Sequence, residues 1–175
     1  MTTLADISAL VSQAGGKPPV DRWHPTHCGA LDIVIRRDGH WVHEGSPIGR
    51  EAMVALFASV LRREPDGSYV LVTPGEKLAV AVEDAPFLLV EMRMEGEGAT
   101  RRIAMRDNVG DWTEIGPRHP LRLVSTDDAF KPYALIRGRL EGLANRSVAQ
   151  ELAALIEPDG EGLWAGGVFF PVAAT

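Results

Sequence analysis

Several features of exported, membrane-spanning or nucleic-acid-coating proteins are scarce in this sequence. Its 175 residues include one cysteine, which excludes an intramolecular disulfide framework and suits a reducing compartment. No apolar run approaches the length of a membrane span, and the first residues lack the basic cluster of a secretory signal. We therefore expect a cytoplasmic protein that does not enter the membrane.

Lysine is scarce as well, because only Lys17, Lys77 and Lys131 occur and the net charge is −6. A protein that coats nucleic acid normally carries a basic face, so this balance argues against bulk nucleic-acid binding. Most cationic residues are arginines, whose planar guanidinium can hold a phosphate or carboxylate through two N–H donors. The composition therefore leaves room for a small anionic ligand.

The hydrophobic content of 45% is enough for a packed core, and the apolar pattern predicts an α+β fold with mostly antiparallel strands. A short helix is expected at residues 3–14. A second helix is expected from Ser46-Pro47 to Arg63, with Ser46 as its N-cap. Strands are predicted at 31–35, 41–42, 69–73, 78–82, 87–94, 101–106, 121–125, 133–137 and 163–170, and a last helix at 147–156 with a capping box of Ser147 and Gln150.

An internal repeat is visible in the order of these elements. Residues 32–74 run strand, turn, helix, Glu-Pro-Asp-Gly, strand and proline, and residues 134–171 follow the same order. The four-residue turn recurs identically at 64–67 and 157–160. The repeat predicts a duplication with two packed halves, residues 1–84 and 85–175, and a crevice between them.

Short motifs distributed along the chain resemble one bacterial, mainly proteobacterial, family catalogued as a domain of unknown function. They are Cys28-Gly29, Asp32, Asp38-Gly39, Trp41, the segment 45–50, Thr73-Pro74, 76–78, 82–87, 108–111, 119–121 and 164–167. The resemblance implies a duplicated α+β core whose C-terminal half is superficially similar to pleckstrin-homology folds. It also implies a nucleotide-like ligand at the interface of the halves and a role in signal transduction.

Seven residues are candidate ligand contacts. A helix that starts at Ser46 would offer free N–H groups to an anion, and Arg50 would add a guanidinium one turn further. Polar side chains at strand ends supply usual ligand contacts, and Trp41 would offer a stacking face. The strand-end candidates are Thr73, Lys77, Arg106 and Asn108. The alternative role of Trp41 is that of a core aromatic, which is also expected for Trp112 and Trp164, and Glu83-Asp84 is expected to be a solvated turn.

Histidines concentrate near the N-terminus and suggest an alternative. His24, His27, His40 and His43 lie beside Cys28 and Glu44, a set that invites a zinc site. Positions 40 and 43 differ by an odd number on an expected strand, so their side chains would point to opposite faces. Surface histidines are therefore favoured over a metal site. Cys28 could be a nucleophile, although a small apolar core residue is the more common role.

These observations favour a non-enzymatic binding or sensor protein that holds a small anionic, nucleotide-like ligand and needs no cofactor. A metal-assisted hydrolase that uses the histidine-rich segment is one alternative. A protein–protein interaction module is another. A homodimer is compatible with all three functions.

Overall fold

The computed structural model describes residues 17–174 together with Ala5 and Ala9. The helix expected at 3–14 lies outside the described residues apart from those two. The described chain forms two compact units. The first contains the segment that ends at Arg36 and the segment His40–Glu83, and the second contains Arg37–Gly39 and the chain from Asp84 onward. The predicted α+β class is confirmed, since two α-helices accompany two mixed sheets in the described chain.

The first unit is built on a six-stranded sheet with the order β3-β2-β1-β6-β5-β4. Its elements are β1 (His27–Ile35), β2 (Trp41–His43), β3 (Ser46–Pro47), α1 (Glu51–Ser59), β4 (Leu61–Arg63), β5 (Tyr69–Val72) and β6 (Glu76–Val82), preceded by a 3-10 turn at Val20–Arg22. Strands β1 and β6 are parallel, and the other neighbours are antiparallel.

The core of this unit forms where alternating strand positions meet α1. Ile33 and Ile35 are fully buried because residues two apart on a strand point to the same face. Phe57 of α1 is fully buried as well, and its ring stacks on Trp41 with a centroid separation of 6.4 Å. Aromatic pairs at this separation add stabilisation beyond the burial of their area.

The second unit is built on an eight-stranded sheet with the order β13-β14-β10-β11-β12-β7-β8-β9. Its elements are β7 (Phe87–Glu95), β8 (Arg102–Asp107), β9 (Trp112–Glu114), β10 (Leu121–Ser125), β11 (Phe130–Arg137), β12 (Leu140–Ala144), α2 (Arg146–Ala153), β13 (Gly162–Ala165) and β14 (Val168–Ala174), with a 3-10 turn at Gly98–Thr100. The pairs β7–β12 and β10–β14 are parallel.

The eight-stranded sheet curls until its two ends touch. The backbone N–H of Gly166, which follows β13, donates to the carbonyl of Arg101, which precedes β8 (2.9 Å). A Cβ on Gly166 would lie 2.3 Å from the carbonyl oxygen of Ile115, so only glycine fits at this approach. The Arg101 guanidinium reinforces the junction, because its Nη1 donates to the carbonyls of Leu155 (3.3 Å) and Trp164 (3.4 Å).

The predicted internal repeat is confirmed in both units. Each contains a β-hairpin, a helix and a Glu-Pro-Asp-Gly turn in that order. In both turns the glycine N–H donates to the glutamate carbonyl, at 3.0 Å in the first and 2.8 Å in the second. In both, the aspartate Oδ1 accepts from the N–H two residues on, at 2.9 and 3.0 Å. Identical sequence therefore builds the same local structure twice.

Several expectations about the second unit are wrong. Trp112 is not a core aromatic, because it is 38% exposed and the guanidinium of Arg93 lies 4.2 Å from its ring centroid. The N-cap of α2 is Asn145, whose Oδ1 accepts from the N–H of Val148 (2.9 Å), so Ser147 lies inside the helix. The single strand predicted at 163–170 is a hairpin, because two glycines with positive φ reverse the chain between β13 and β14.

Candidate functional site

The segment that leads into α1 differs from its prediction. Ser46 and Pro47 form β3, which pairs with β2, and α1 begins only at Glu51. The chain turns back because Glu44 and Gly45 both adopt positive φ, 49° and 77°. Ser46 is therefore not an N-cap. The N-cap of α1 is Arg50, whose side chain forms no capping hydrogen bond with the first turn of the helix.

Arg50 and Ser46 remain exposed, whereas Trp41 does not. The guanidinium of Arg50 forms no hydrogen bond or ion pair with any residue that the structure describes. Trp41 is 2% exposed and packs on Phe57, so its ring lies within the core. Of these three candidates, the structure leaves Arg50 and Ser46 open to solvent next to the uncapped helix end.

Thr73 and Lys77 lie on either side of the turn between β5 and β6. Thr73 is buried, and its hydroxyl accepts from the backbone N–H of Glu76 (3.2 Å), which closes the turn. The ammonium of Lys77 binds Oε2 of Glu64 (3.1 Å), and Arg62 Nε binds Oε1 of the same carboxylate (2.6 Å). Burial would raise the pKa of Glu64, but hydrogen bonds from Arg62 and Lys77 outweigh it and lower this pKa.

Arg106 and Asn108 lie at the end of β8 in the second unit. Arg106 Nε donates to Oε2 of Glu91 on β7 (2.8 Å). Asn108 Oδ1 accepts from the N–H of Leu88 (3.0 Å), and its Nδ2 donates to the carbonyl of Gly39 (3.2 Å). Both side chains thus hold neighbouring protein segments. Their roles as ligand contacts stay predictions.

The residue between them, Asp107, is a buried carboxylate that sequence reasoning missed. It is 1% exposed, and its Oδ1 accepts from the N–H groups of Val109 and Asp111 (both 3.0 Å). Its Oδ2 is buried and has no hydrogen-bond partner among the described residues. Burial raises the pKa of Asp107 despite these hydrogen bonds, since desolvation disfavours the charged form. No pattern around Asp107 indicates this burial, which depends on tertiary packing.

A second polar cluster is centred on Asp84, for which a solvated turn is expected from the sequence. Asp84 is half-buried and accepts from Tyr133 Oη (2.8 Å) and Lys131 Nζ (3.0 Å). The guanidinium of Arg122 covers the Tyr133 ring at 3.9 Å and forms a bidentate pair with Glu141. Burial, followed by the hydrogen bond to Asp84, raises the pKa of Tyr133 to about 12.

The histidine-rich segment does not gather into a ligand set. Among the described residues, no group of three or more His, Cys, Asp or Glu side chains is placed to hold a metal ion. His27 Nε2 lies 3.9 Å from Glu76 Oε2 on the neighbouring strand. Cys28 is exposed rather than buried, so the expectation of a core cysteine is wrong. Within the described chain, no helix is both long and apolar enough to cross a membrane.

Comparison with known proteins places the chain among two-domain proteins without an assigned activity. Residues 18–85 match the N-terminal domain, and residues 86–172 the C-terminal domain, of the domain of unknown function DUF1285. The chain belongs to the DUF1285 family, which confirms the resemblance read from its motifs. The two domains correspond to the duplicated halves.

Two solved structures are similar to this chain. A DUF1285 family protein from Silicibacter pomeroyi is 37% identical with a TM-score of 0.89, over 98% of this chain and 94% of that one. A DUF1285 family protein from Shewanella baltica is 26% identical with a TM-score of 0.54, over 71% of this chain and 91% of that one. No curated protein matches the chain.

Proposed function

We propose that the protein is a non-enzymatic binding protein that takes a small anionic, nucleotide-like ligand at the start of α1 and acts in signalling. One observation supports it most. Arg50 is an exposed guanidinium without a partner in the described chain, beside a helix start whose N–H groups its side chain leaves uncapped. A guanidinium and free N–H groups are both donors, and together they suit the oxygens of a phosphate.

Ser46 fits the same site. Its exposed hydroxyl lies on β3, four residues before the N-cap of α1. Glu51, in the first helical turn, is exposed and acidic, so its charge opposes an anion bound there. Lys77 and Arg106 carry carboxylate partners already and are less available. Substitutions of these residues should therefore change ligand binding to different degrees, and a mutational test can use these differences.

The test is a thermal-shift screen of the full chain against nucleotides, cyclic nucleotides and sugar phosphates. A ligand at a hundred times its Kd stabilises by about 2.7 kcal/mol, which raises Tm by roughly 5–10 °C for a chain of this size. Arg50→Ala should abolish the shift, Glu51→Gln should enlarge it, and Arg139→Ala should leave it unchanged. Arg139 is the matched control because it is exposed in the β11–β12 turn. A shift that survives Arg50→Ala would refute this site.

A further inference from the structure

The first half of β1 has a strand neighbour on one side only, within the described chain. Residues 27–30 pair in parallel with residues 76–79 of β6, whereas β2 pairs with β1 only from Ile33 to Ile35. The carbonyl of Asp32 is taken by the N–H of Glu44. No strand within the described part of the chain lies on the other side of residues 27–31. This five-residue segment is called the open edge. As far as Ala30, the last residue paired with β6 before a register shift, alternate residues point their backbone N–H and C=O groups away from β6.

The open edge lacks the devices that protect the other sheet edges. Residues 27–30 are exposed, and the segment contains no proline and no Lys, Arg, Asp or Glu. At the β4 edge, Arg62 Nη1 donates to the carbonyls of Val20 (2.7 Å) and Trp23 (2.8 Å), which fastens that segment beside the strand. The β9 edge is only three residues long. Natural sheets blunt free edges by charge, proline, shortness, bulges or cover. Within residues 17–174 this edge has no Lys, Arg, Asp, Glu or proline and no covering segment, and the register shift of β1 begins only after Ala30, at the end of the paired segment.

We propose that the open edge pairs with the same edge of a second copy of this chain, antiparallel and with Gly29 on the two-fold axis. Opposed residues in an antiparallel ladder point to the same face of the sheet. A symmetric pairing must therefore place one residue opposite itself. Gly29 is the middle of the five residues, so this register puts His27 opposite Leu31 and Cys28 opposite Ala30. A register centred on Ala30 would put His27 opposite Ile33, which is already paired with β2.

The side chains at the axis also fit a close approach of two strands. A Cβ on Gly29 would lie 2.9 Å from Cδ2 of Leu78, so the Leu78 side chain already fills the space over this glycine. On the opposite face, Cys28, Ala30 and Ala79 are small and exposed. A sheet edge selects an extended peptide through pockets for alternate side chains, and a glycine flanked by Cys28 and Ala30 supplies little side chain from which to build them. The geometry thus favours an identical edge as the occupant.

The interface through this edge alone is small. Five residues from each copy bury less than the roughly 1,000 Å² that marks a stable interface, so the dimer is expected to dissociate on dilution. Sedimentation equilibrium of the full chain, from about micromolar to millimolar concentration, should show a reversible monomer–dimer equilibrium. A wild-type chain that stays monomeric throughout this range would overturn the proposal.

A lysine substitution tests whether the two copies pair through the open edge. Ala30→Lys places a charge on the open edge and should weaken association by at least about tenfold, with Tm in the dilute protein unchanged. Ala79→Lys is the matched control, because Ala79 is exposed opposite Ala30 on β6 but lies one strand inside the edge. The control should associate like the wild type. Equal weakening by both variants would count against pairing through β1.

A cysteine substitution tests the register. With Gly29 on the axis, the two Cys28 side chains lie diagonally, about 7–8 Å apart, which is beyond disulfide reach. Ala30→Cys brings the introduced thiol of each copy opposite Cys28 of the other, so mild oxidation should give a covalent dimer. Wild type and the double variant Cys28→Ala/Ala30→Cys should give none. Efficient cross-linking of wild type instead would overturn the Gly29-centred register.

Discussion

Arg101 donates from Nη1 to the backbone carbonyl of Trp164, 63 positions later in the chain, at 3.4 Å. The same nitrogen donates to the carbonyl of Leu155, and the side chain is 12% exposed. Its Nε and the Oε1 of Glu157 are buried without hydrogen-bond partners in the described chain, and Glu157 Oε1 lies 3.9 Å from Arg101 Nη1. Arg101 therefore holds together the two ends of the curled sheet.

Arg101→Met should destabilise the protein markedly. It keeps most of the apolar stem but removes the two hydrogen bonds that the charged guanidinium donates to the carbonyls of Leu155 and Trp164. We expect a loss of about 3 kcal/mol in the free energy of unfolding and a fall in Tm of roughly 6–12 °C. Denaturant unfolding and calorimetry measure both. Arg102→Met is the control, because that exposed side chain binds only Glu114 within the described chain and should matter little.

The stability of Asp107→Asn relative to wild type should increase as the pH rises. Burial raises the pKa of Asp107 above its ordinary 3.8, so the folded state holds the proton more tightly than the unfolded state. Its contribution to stability is present below about pH 3.8 and is lost as the pH rises through the raised pKa of the folded state. The stability of Asp107→Asn relative to wild type should therefore increase from pH 4 upward and then level off.

Urea unfolding at several pH values between 4 and 8 measures this difference. Asp128→Asn, in an exposed turn, is the control for the exchange of aspartate for asparagine, and the Asp107→Asn difference is compared with it at each pH. A relative stability of Asp107→Asn that falls with rising pH would mean that the Asp107 carboxylate is stabilised, not penalised, in the folded protein.

Tyr133 should resist ionisation. Burial and the hydrogen bond to Asp84 raise its pKa to about 12, and Tyr69 is the only other tyrosine. In a Tyr69→Phe background, the tyrosinate absorbance should stay low at pH 11, where an ordinary tyrosine is mostly ionised. Asp84→Asn should lower the midpoint, because the Asp84 charge and hydrogen bond both favour the protonated phenol. A midpoint near 10 in the folded protein would contradict the placement of Tyr133.

The two Glu-Pro-Asp-Gly turns should respond alike to one substitution. Gly67 and Gly160 have φ of 90° and 77°, and neither has an atom closer than 3.8 Å to an added Cβ. Alanine therefore meets backbone strain rather than a clash, and each variant should lose about 1 kcal/mol. Gly75→Ala is the control, since Gly75 has no positive φ and open space around it. Thermal unfolding checks all three, and unequal losses at Gly67 and Gly160 would argue against equivalent turns.

The sequence was most informative where local chemistry determines structure. The repeated turn was predictable because proline and glycine restrict the backbone in the same way at both places. The prediction of a helix start at Ser46-Pro47 was wrong because the same dipeptide suits both a helix start and a short edge strand. The positive φ of Glu44 turns the chain into the strand. Ser147 was predicted as the N-cap of α2 in place of Asn145 because both residue types are good N-caps and the two lie only two positions apart.

Non-local relationships were out of reach. No local sequence pattern indicates that β1 and β6 are parallel neighbours in the sheet. The open edge of β1 could therefore not be predicted from the sequence. The burial of Asp107 and the pairing of Asp84 with Tyr133 depend on strands far apart in sequence. Of the seven predicted contacts, Ser46 and Arg50 are exposed, and five fill internal roles that need tertiary structure to be seen.

The curled sheet of the second unit has a consequence for synthesis on the ribosome. Strand β14 pairs with β10 but is made after every other strand of that sheet, and Gly166 meets Arg101 only once β13 has been made. Until then one edge of β10 is unpaired, and the Arg101 guanidinium does not yet have both of the carbonyls to which it donates. Pairings so distant in sequence form slowly, and nascent chains with open edges associate readily. The interval before closure is therefore when this sheet is most exposed to association with other chains.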